Sequence, residues 1–260
     1  MNKKNTTWDA NQYLKFENKR LRPALELLDR IPLKSPKKIL DLGCGTGNVT
    51  KIISERWQSS KVIGLDSSQQ MLEKAQKFSS EITWQLQDIN SWNPDETFDL
   101  IYSNATLHWV KNHTEIFSRL LSKINKNGFL AIQMPLNQKA PSHALMSKVL
   151  TELNFCSEEF RENLWAKAVE EPSFYYDLLA PKVKMIDIWT TTYYQIMEGE
   201  NPIYEWVKST GLRPVLKNLT EMEKEIFIPE YQKRLRIAYP KQKDRKTIFP
   251  FTRLFIVAQV

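Results

Sequence analysis

The sequence predicts an α/β fold, with one doubly wound sheet of about seven mostly parallel strands and helices on both faces. Between residues 38 and 134, short runs that are apolar nearly throughout alternate with helical patterns of about ten residues. Strands of this kind are buried on both faces, as in parallel sheets whose strands are connected by helices. Glycine is scarce, yet three of the seven glycines lie in one loop, at Gly43, Gly45 and Gly47. We therefore expect that loop to have a special role.

The first half of the chain predicts elements that alternate in order. Residues 8–30 have the pattern of two helices, and Pro23 is suited to an early position of the second. Ser67 and Gln70 have the spacing of a capping box for the helix that follows the second strand. The alternating elements are predicted as strand 38–42, helix 48–56, strand 61–65, helix 68–77, strand 82–86, strand 98–103, helix 114–124 and strand 128–134.

The pattern changes after Met134, where long helical and aromatic stretches appear. A second helical stretch begins with a capping box at Thr220 and Glu223, and we expect it to break at Pro229. These later segments are predicted as helical 135–180, strand 184–197, helical 202–239 and strand 248–258.

A chain of 260 residues fits one large domain, because it can bury roughly 70–75% of its unfolded surface. We expect a single domain over 1–260, in which helical insertions before and after the sixth strand form a cap over the carboxyl edge of the sheet. The core is predicted at 33–134, 184–197 and 247–260, and the cap at 1–30, 135–183 and 198–246.

Composition and charge restrict the possible partners. The net charge is +7, and seven basic residues crowd between Lys233 and Lys246. A solvated helix face explains this cluster best, and steering of a small anion is a second reading. Nucleic-acid binding is disfavoured because no recognisable module accompanies the cluster. The sequence shows no signal-peptide pattern, no apolar run near ~18 residues and only two cysteines. We expect a cytoplasmic monomer or weak oligomer without a membrane segment or metal site.

Three carboxylates follow successive predicted strands. Asp41 ends the first strand, Asp66 ends the second, and Asp88 follows the third, with Ile89 next to it. Because ligands of open α/β sheets bind beyond the carboxyl ends of the strands, these side chains are predicted to share one crevice. The loop reads Gly-x-Gly-x-Gly, which differs from the Gly-x-Gly-x-x-Gly pattern that holds a dinucleotide pyrophosphate. The ligand therefore need not carry a phosphate.

The three carboxylates suggest three parts of one ligand. Asp41 suits an ammonium, Asp66 suits two ribose hydroxyls, and Asp88 suits an adenine amino group, with Ile89 against the ring. An ammonium, a ribose and an adenine without phosphate describe S-adenosylmethionine. Cys44 is interpreted as a small turn residue, because the sequence identifies no base that would activate its thiol.

The stretch from Asp41 to Gly47 resembles the first motif of class I S-adenosylmethionine-dependent methyltransferases, which have a Rossmann-like sheet. Segments across almost the whole chain resemble one subfamily, the trans-aconitate 2-methyltransferases. The resemblance implies methyl transfer to one carboxylate of trans-aconitate, which yields the monomethyl ester and S-adenosylhomocysteine. The segments that carry it are 8–23, 104–110, 133–137, 175–181, 187–193, 205–214 and 249–255.

The predicted site has a cofactor part and a substrate part. No general base is required, because a carboxylic acid is already ionised at neutral pH. Arginine suits the anchoring of a carboxylate, and Arg213 is the first candidate, with Arg253 weaker. The cofactor residues are predicted as Asp41, Gly43, Gly45, Gly47, Asp66, Ser67, Asp88, Ile89 and Asn104. The substrate residues are predicted as Arg213, His108, Trp109, Gln133, Tyr194, Tyr13 and Trp8, the last two as a lid.

Several alternatives remain open from the sequence. The substrate of the same enzyme class is trans-aconitate or another small or fatty carboxylic acid. A hydroxyl or amine acceptor needs a base, and His108 is the obvious one. A protein that binds S-adenosylmethionine without catalysis is the alternative from another class. A nicotinamide dehydrogenase is opposed by the loop spacing, and methylation of a nucleic-acid amino group is disfavoured by the sequence 103–106, which lacks an Asx-Pro-Pro-aromatic signature.

Overall fold

The sheet is built from strands that alternate with helices along the chain. The computed structural model describes residues 17–77, 81–164 and 169–260, and within these ranges seven strands form one sheet. The strands are β1 (Lys38–Leu42), β2 (Lys61–Asp66), β3 (Thr83–Leu86), β4 (Phe98–Asn104), β5 (Ile124–Pro135), β6 (Met185–Met197) and β7 (Thr247–Gln259).

The spatial order of the strands is β3-β2-β1-β4-β5-β7-β6. The chain starts near the middle of the sheet, winds to one edge, and then returns to build the other half. β1 pairs in parallel with β2 and β4, β2 with β3, and β4 with β5, whereas β7 runs antiparallel to β5. The predicted α/β fold with a doubly wound, mostly parallel sheet is therefore confirmed.

The helices follow the pattern predicted from the sequence, with two stretches of helix around β6. No helix within the described ranges is long and apolar enough to cross a membrane. The helices are α1 (Glu17–Asp29), α2 (Asn48–Arg56), α3 (Gln69–Ala75), α4 (His113–Ser122), α5 (Pro141–Glu152), α6 (Glu158–Asn163), α7 (Pro172–Leu179), α8 (Pro202–Lys208), α9 (Arg213–Asn218) and α10 (Glu221–Ala238), with short 3-10 turns at Leu107–Trp109 and Ala180–Lys182.

The chain divides into two compact units. The sheet unit comprises Leu21–Leu136, Lys167–Thr191 and Thr252–Val260, and its core is formed by buried aliphatic residues of β1, β2, β4 and β5. The helical unit includes Asn137–Ala166 and Thr192–Phe251. Its core contains both aliphatic and aromatic side chains, and the rings of Phe227 and Tyr231 stack at 5.5 Å between their centroids.

Prolines in two helices lie where the sequence did not predict them. Pro23 lies well inside α1, which begins at Glu17, and is not an early residue of its helix. Pro229 lies inside α10, which continues through it, so the predicted break at this position was wrong. An interior proline costs about 3 kcal/mol. Burial of Phe227 and Tyr231, on either side of Pro229, offsets that cost because both side chains are fully buried in the helical unit.

The two predicted capping boxes have different outcomes. Thr220 and Glu223 form a capping box at the start of α10, because each side chain accepts a hydrogen bond from the other residue's backbone N–H. The predicted box at Ser67 was wrong. Ser68 caps α3 and accepts from the backbone N–H of Met71 at 3.4 Å, because the chain turns one residue later than predicted.

Candidate active site

The loop between β1 and α2 is tied to the end of β2. The backbone N–H groups of Gly43 and Cys44 donate to the carbonyl oxygen of Leu65 at 2.7 and 2.9 Å. The glycines at 43, 45 and 47 all have positive φ, at 77°, 56° and 80°. Residues with a Cβ rarely adopt this left-handed backbone conformation, so the tight turn needs glycine.

The three loop glycines have different surroundings. A Cβ at Gly43 would lie 2.1 Å from Cγ2 of Thr106, and a Cβ at Gly47 would lie 2.6 Å from the ring of Trp84. A Cβ at Gly45 would meet nothing within 4 Å. Gly43 and Gly47 therefore allow the loop to pack against the protein, whereas Gly45 presents its backbone to open space. A ligand can approach the backbone closely at Gly45.

Asp66 lies at the end of β2 and holds the turn of the loop. Its Oδ2 accepts from the backbone N–H of Gly45 at 2.9 Å, and its Oδ1 accepts from that of Ser68 at 2.8 Å. A carboxylate offers about four acceptor positions, and these two bonds occupy one on each oxygen. The half-buried Asp66 thus retains one lone pair on each oxygen, which suits two neighbouring hydroxyls.

Asp88 lies beyond β3, on an exposed turn. Its Oδ1 accepts from both the backbone and the side-chain N–H groups of Asn90, each at 2.8 Å. The neighbouring Ile89 is 8% exposed, and its carbonyl oxygen accepts from Nη2 of Arg119 at 2.7 Å. The turn therefore combines an exposed carboxylate with a fixed apolar side chain, as a site for a polar, planar ring requires.

Asp41 is more deeply buried than we expect for a residue that binds an ammonium at the open edge of a sheet. The side chain is 2% exposed, and its Oδ2 accepts from Oγ1 of Thr50 at 2.6 Å. Burial, and to a lesser extent repulsion by Asp66, raises the pKa of Asp41 to about 7, although the bond from Thr50 opposes the shift. Half of these carboxyls are thus protonated near neutral pH, and a cation bound beside Asp41 would favour the charged form.

The raised pKa of Asp41 predicts a dependence of stability on pH. Between its ordinary pKa of 3.8 and about 7, the folded protein keeps a proton that the unfolded chain loses. The free energy of unfolding therefore falls as pH rises, by up to about 1.4 kcal/mol per pH unit. In Asp41→Asn this contribution is absent, so the variant should gain stability relative to wild type between pH 5 and pH 7.

Urea unfolding of ligand-free protein at these two pH values measures the effect. Asp88→Asn removes a carboxylate at an exposed position and serves as the matched control. If wild type and Asp41→Asn lost the same stability over this interval, Asp41 would not be the buried group that holds the proton.

The turn after β4 packs against the glycine loop. Ala105 has φ 53°, which reverses the chain after the last residue of β4. Oγ1 of Thr106 then donates to the carbonyl oxygen of Gly43 at 3.1 Å. His108 is half-buried and its ring lies 4.6 Å from that of Trp109, which is 53% exposed. These two predicted substrate residues therefore stand on a turn that is attached to the glycine loop.

A buried histidine holds the 3-10 turn at Leu107–Trp109 in place. Nε2 of His113 lies 2.9 Å from the carbonyl oxygen of Leu107, and Nδ1 lies 2.6 Å from the hydroxyl of Tyr175. The carbonyl can only accept, so Nε2 carries the proton and the hydroxyl of Tyr175 donates to Nδ1. Burial lowers the pKa of His113, which favours this neutral form. The 3-10 turn is therefore fixed by a side chain of α4.

Two buried polar side chains meet on β5 and β7. Gln133 is fully buried, Arg253 is 6% exposed, and Nη1 of Arg253 donates to Oε1 of Gln133 at 3.2 Å. Asn104 is the strand neighbour of Gln133 on β4, so the two side chains lie side by side. The structure thus brings Asn104, Gln133 and Arg253 onto one face of the sheet.

The remaining predicted residues are Ser67, Arg213, Tyr194, Trp8 and Tyr13. Ser67 is exposed, and the backbone N–H of the neighbouring Ser68 donates to Asp66. Arg213 is half-buried at the start of α9, and Tyr194 on β6 is 67% exposed, and both belong to the helical unit. Their roles stay predictions. Trp8 and Tyr13 lie outside the described residues.

Sequence reasoning missed the side chains that shape the loop. Thr50, Trp84 and Thr106 contact Asp41 or the glycines, and no short motif marks them. Cys44 was interpreted as a turn residue, and it is buried. Burial raises the pKa of its thiol far above the ordinary value, and Asp41 and Asp66 add to the shift, so the thiol is a poor nucleophile at neutral pH.

Comparison with known proteins identifies the family. A family model described as a methyltransferase domain matches residues 13–172. The trans-aconitate 2-methyltransferase of Azoarcus sp. (strain BH72) is 40% identical over 256 residues, which cover 97% of this chain and 98% of the relative. The enzyme of the same name from Escherichia coli (strain SE11) is 41% identical over 252 residues, with the same coverage of both chains.

The fold itself recurs in a more distant protein. A crystal structure of a putative methyltransferase from Bacillus halodurans C-125 aligns with a TM-score of 0.57 at 16% identity, covering 92% of this chain and 98% of that one. This likeness concerns the fold alone, whereas the matches at about 40% identity extend over nearly the full length of both chains. The chain therefore belongs to the trans-aconitate 2-methyltransferase family.

Proposed function

We propose that this protein transfers a methyl group from S-adenosylmethionine to one carboxylate of trans-aconitate. The observation that carries the proposal is the family membership over nearly the whole chain. The arrangement at the carboxyl edge of the sheet supports it, because the same edge presents carboxylate acceptors for a cationic cofactor and a buried arginine for an anionic substrate. The substrate class is a small polycarboxylate.

The residues around the glycine loop fit an adenosyl ligand without phosphate. Gly45 leaves open space at the loop, and Asp66 has the acceptor positions that two ribose hydroxyls need. Asp88 and Ile89 would receive the adenine, and Asp41 and Asn104 the amino-acid end. When bound, S-adenosylmethionine supplies a methyl group whose bond to sulfur breaks as the bond to a carboxylate oxygen forms, leaving S-adenosylhomocysteine and the monomethyl ester.

The protein contributes to this reaction by positioning the cofactor and the acceptor carboxylate. The acceptor carboxylate is already ionised, so no side chain has to remove a proton. Holding two reactants in line can supply up to ~7–11 kcal/mol of the barrier in the best intramolecular models. His108 and Trp109 lie on a fixed turn, and their side chains would contact the acceptor carboxylate and limit where it can lie. We also propose that the whole chain acts as one methyltransferase domain, with the helical segments around β6 as a cap that includes Arg213. Tyr194, on β6, would be a further substrate contact.

The absence of a general base predicts a small effect of His108→Ala. If His108 only contacts the substrate, kcat for trans-aconitate should fall by about tenfold or less. Removal of a true general base lowers the rate by about 10²–10⁴-fold. Steady-state rates from pH 6 to 8 at saturating cofactor measure this. A loss above 100-fold that is restored by added imidazole would show base catalysis, and would favour a hydroxyl or amine acceptor.

The direct test is a transfer assay with methyl-labelled cofactor and trans-aconitate, followed by mass spectrometry of the product. A monomethyl ester and an equal amount of S-adenosylhomocysteine are expected. The same assay with a panel of other small and fatty carboxylic acids shows whether trans-aconitate is preferred. Cofactor binding without turnover on any acid would contradict the proposal and leave a protein that only binds the nucleoside.

A further inference from the structure

The polar side chains at the carboxyl edge of the sheet are hydrogen-bond acceptors on one side and donors on the other. Acceptors lie on β1, β2 and β4, where they are supplied by Asp41, Asp66 and Oδ1 of Asn104. Donors lie on β5 and β7, where they are supplied by Nε2 of Gln133 and the guanidinium of Arg253. Among the described residues, Oδ1 of Asn104 and Nε2 of Gln133 are buried atoms with no hydrogen-bond partner. One side of the edge therefore suits a cation, and the other suits an anion.

The orientation of the Gln133 amide is determined by Arg253. Because Oε1 accepts from Nη1 of Arg253 at 3.2 Å, Nε2 has to point away from that contact. The side chain is fully buried, so bulk water does not reach the amide donor. A buried donor without a partner is unfavourable, and it calls for a ligand that accepts a hydrogen bond there. A carboxylate oxygen is such an acceptor, and the neighbouring guanidinium adds positive charge.

The strand order separates these donors from the glycine loop, because β5 and β7 are the second and third strands from β1. Gln133 faces Asn104 across the β4–β5 ladder, and Arg253 faces Pro135 across the β5–β7 ladder. Neighbouring strands are about 4.8 Å apart, so β5 and β7 lie roughly 10 and 14 Å from β1. β4 lies between the two groups in the strand order. A substrate with carboxylates on adjacent carbons can place one above β4 and another against Gln133 and Arg253.

We propose that Gln133 and Arg253 form a subsite for a carboxylate of the substrate that is not methylated, and that this subsite selects polycarboxylates over monocarboxylates. The inference rests on the proposed methylation of trans-aconitate. It adds the residues that bind a carboxylate of the substrate other than the one that is methylated. Arg253 acts here as the charged anchor and holds the Gln133 amide in place. Gln133 donates a hydrogen bond that no acceptor of the described residues receives in this structure.

The sharpest test is Gln133→Glu, which keeps the size of the side chain. The new carboxylate can pair with Arg253, so the fold should survive, but it replaces the donor by an anion that repels the substrate. We expect KM for trans-aconitate to rise by about 100-fold, since a charge-assisted hydrogen bond is lost and a like charge is added. The affinity for S-adenosylhomocysteine, measured by calorimetry, should stay close to that of wild type.

The matched control is Gln259→Glu, which adds the same charge to β7 next to Phe129, four residues before Gln133 on β5. This position lies roughly 13 Å along the strand from Gln133, so KM should change little. An unchanged KM in Gln133→Glu, or equal increases in both variants, would overturn the subsite. If wild type methylated no acid, titration of trans-aconitate onto its complex with S-adenosylhomocysteine would decide. Binding that is lost in Gln133→Glu supports the subsite, and no binding to wild type overturns it.

Discussion

Gly43→Ala is expected to lower the free energy of unfolding by about 2–5 kcal/mol, the largest stability effect expected in the glycine loop. Gly43 has φ 77°, and the left-handed conformation costs a residue with a Cβ about 1–2 kcal/mol. The new Cβ would also lie 2.1–2.6 Å from three atoms of Thr106, where overpacking adds about 1–3 kcal/mol. Urea unfolding without ligand measures the change.

Gly45→Ala is the matched control for this prediction. Gly45 also has positive φ, at 56°, but its Cβ would meet no atom within 4 Å. The variant should therefore lose only about 1–2 kcal/mol. Its methyl group would project into the open space at the loop, so its affinity for S-adenosylhomocysteine should fall more than its stability suggests. Equal loss of stability in the two variants would contradict the packing role of Gly43.

A double substitution isolates the contact between the loop and the turn after β4. Thr106→Gly removes the atoms that a Cβ at Gly43 would meet, so it should recover part of the stability lost in Gly43→Ala. The interaction free energy from the double-mutant cycle is expected at about 1 kcal/mol or more. A cycle that closes without an interaction term would show that the backbone angle alone makes glycine necessary.

Asp66→Ala should weaken binding of S-adenosylhomocysteine by about 100-fold or more. A hydrogen bond to a charged group is worth about 1.5–3 kcal/mol, and Asp66 has an acceptor position for each of two ribose hydroxyls. Calorimetric titration at constant pH measures the loss. The protein should remain folded, because the half-buried carboxylate lies at the end of β2 and outside the hydrophobic core.

A modified ligand separates ribose binding from a role in shaping the loop. Asp66 also accepts from the backbone N–H groups of Gly45 and Ser68, so its removal loosens the turn. The 2′,3′-dideoxy analogue of S-adenosylhomocysteine lacks the hydroxyls that Asp66 would bind. Asp66→Ala should weaken binding of this analogue far less than binding of the parent ligand. If both ligands lost the same affinity, Asp66 would act on the loop and not on the ribose.

Features that depend on neighbouring residues were predictable. The strand that ends at Asp41 and the glycine loop after it follow from local hydrophobicity and the need for positive φ. The capping box at Thr220 and Glu223 is also a local interaction and was predicted correctly. Local signals fail by one residue at Ser67 and Ser68, because adjacent serines can each supply the capping oxygen.

Features that depend on packing were not predictable in the same way. α10 continues through Pro229 because buried aromatic side chains on both sides offset the proline. The burial of Asp41, and hence its raised pKa, depends on the helix that returns Thr50 to the strand. Sequence alone marked Asp41 as a carboxylate at a strand end, and it had no means to show how little solvent reaches it.

By itself, the sequence determined the alternation of strands and helices, the glycine loop and the three carboxylates that follow successive strands, because hydrophobic period and turn chemistry act over a few residues. Only the tertiary structure decided which distant side chains meet. Gln133 and Arg253 are 120 residues apart, and Thr106 is 63 residues from Gly43. Their contacts are set by strand order and register, which are established when the whole core packs.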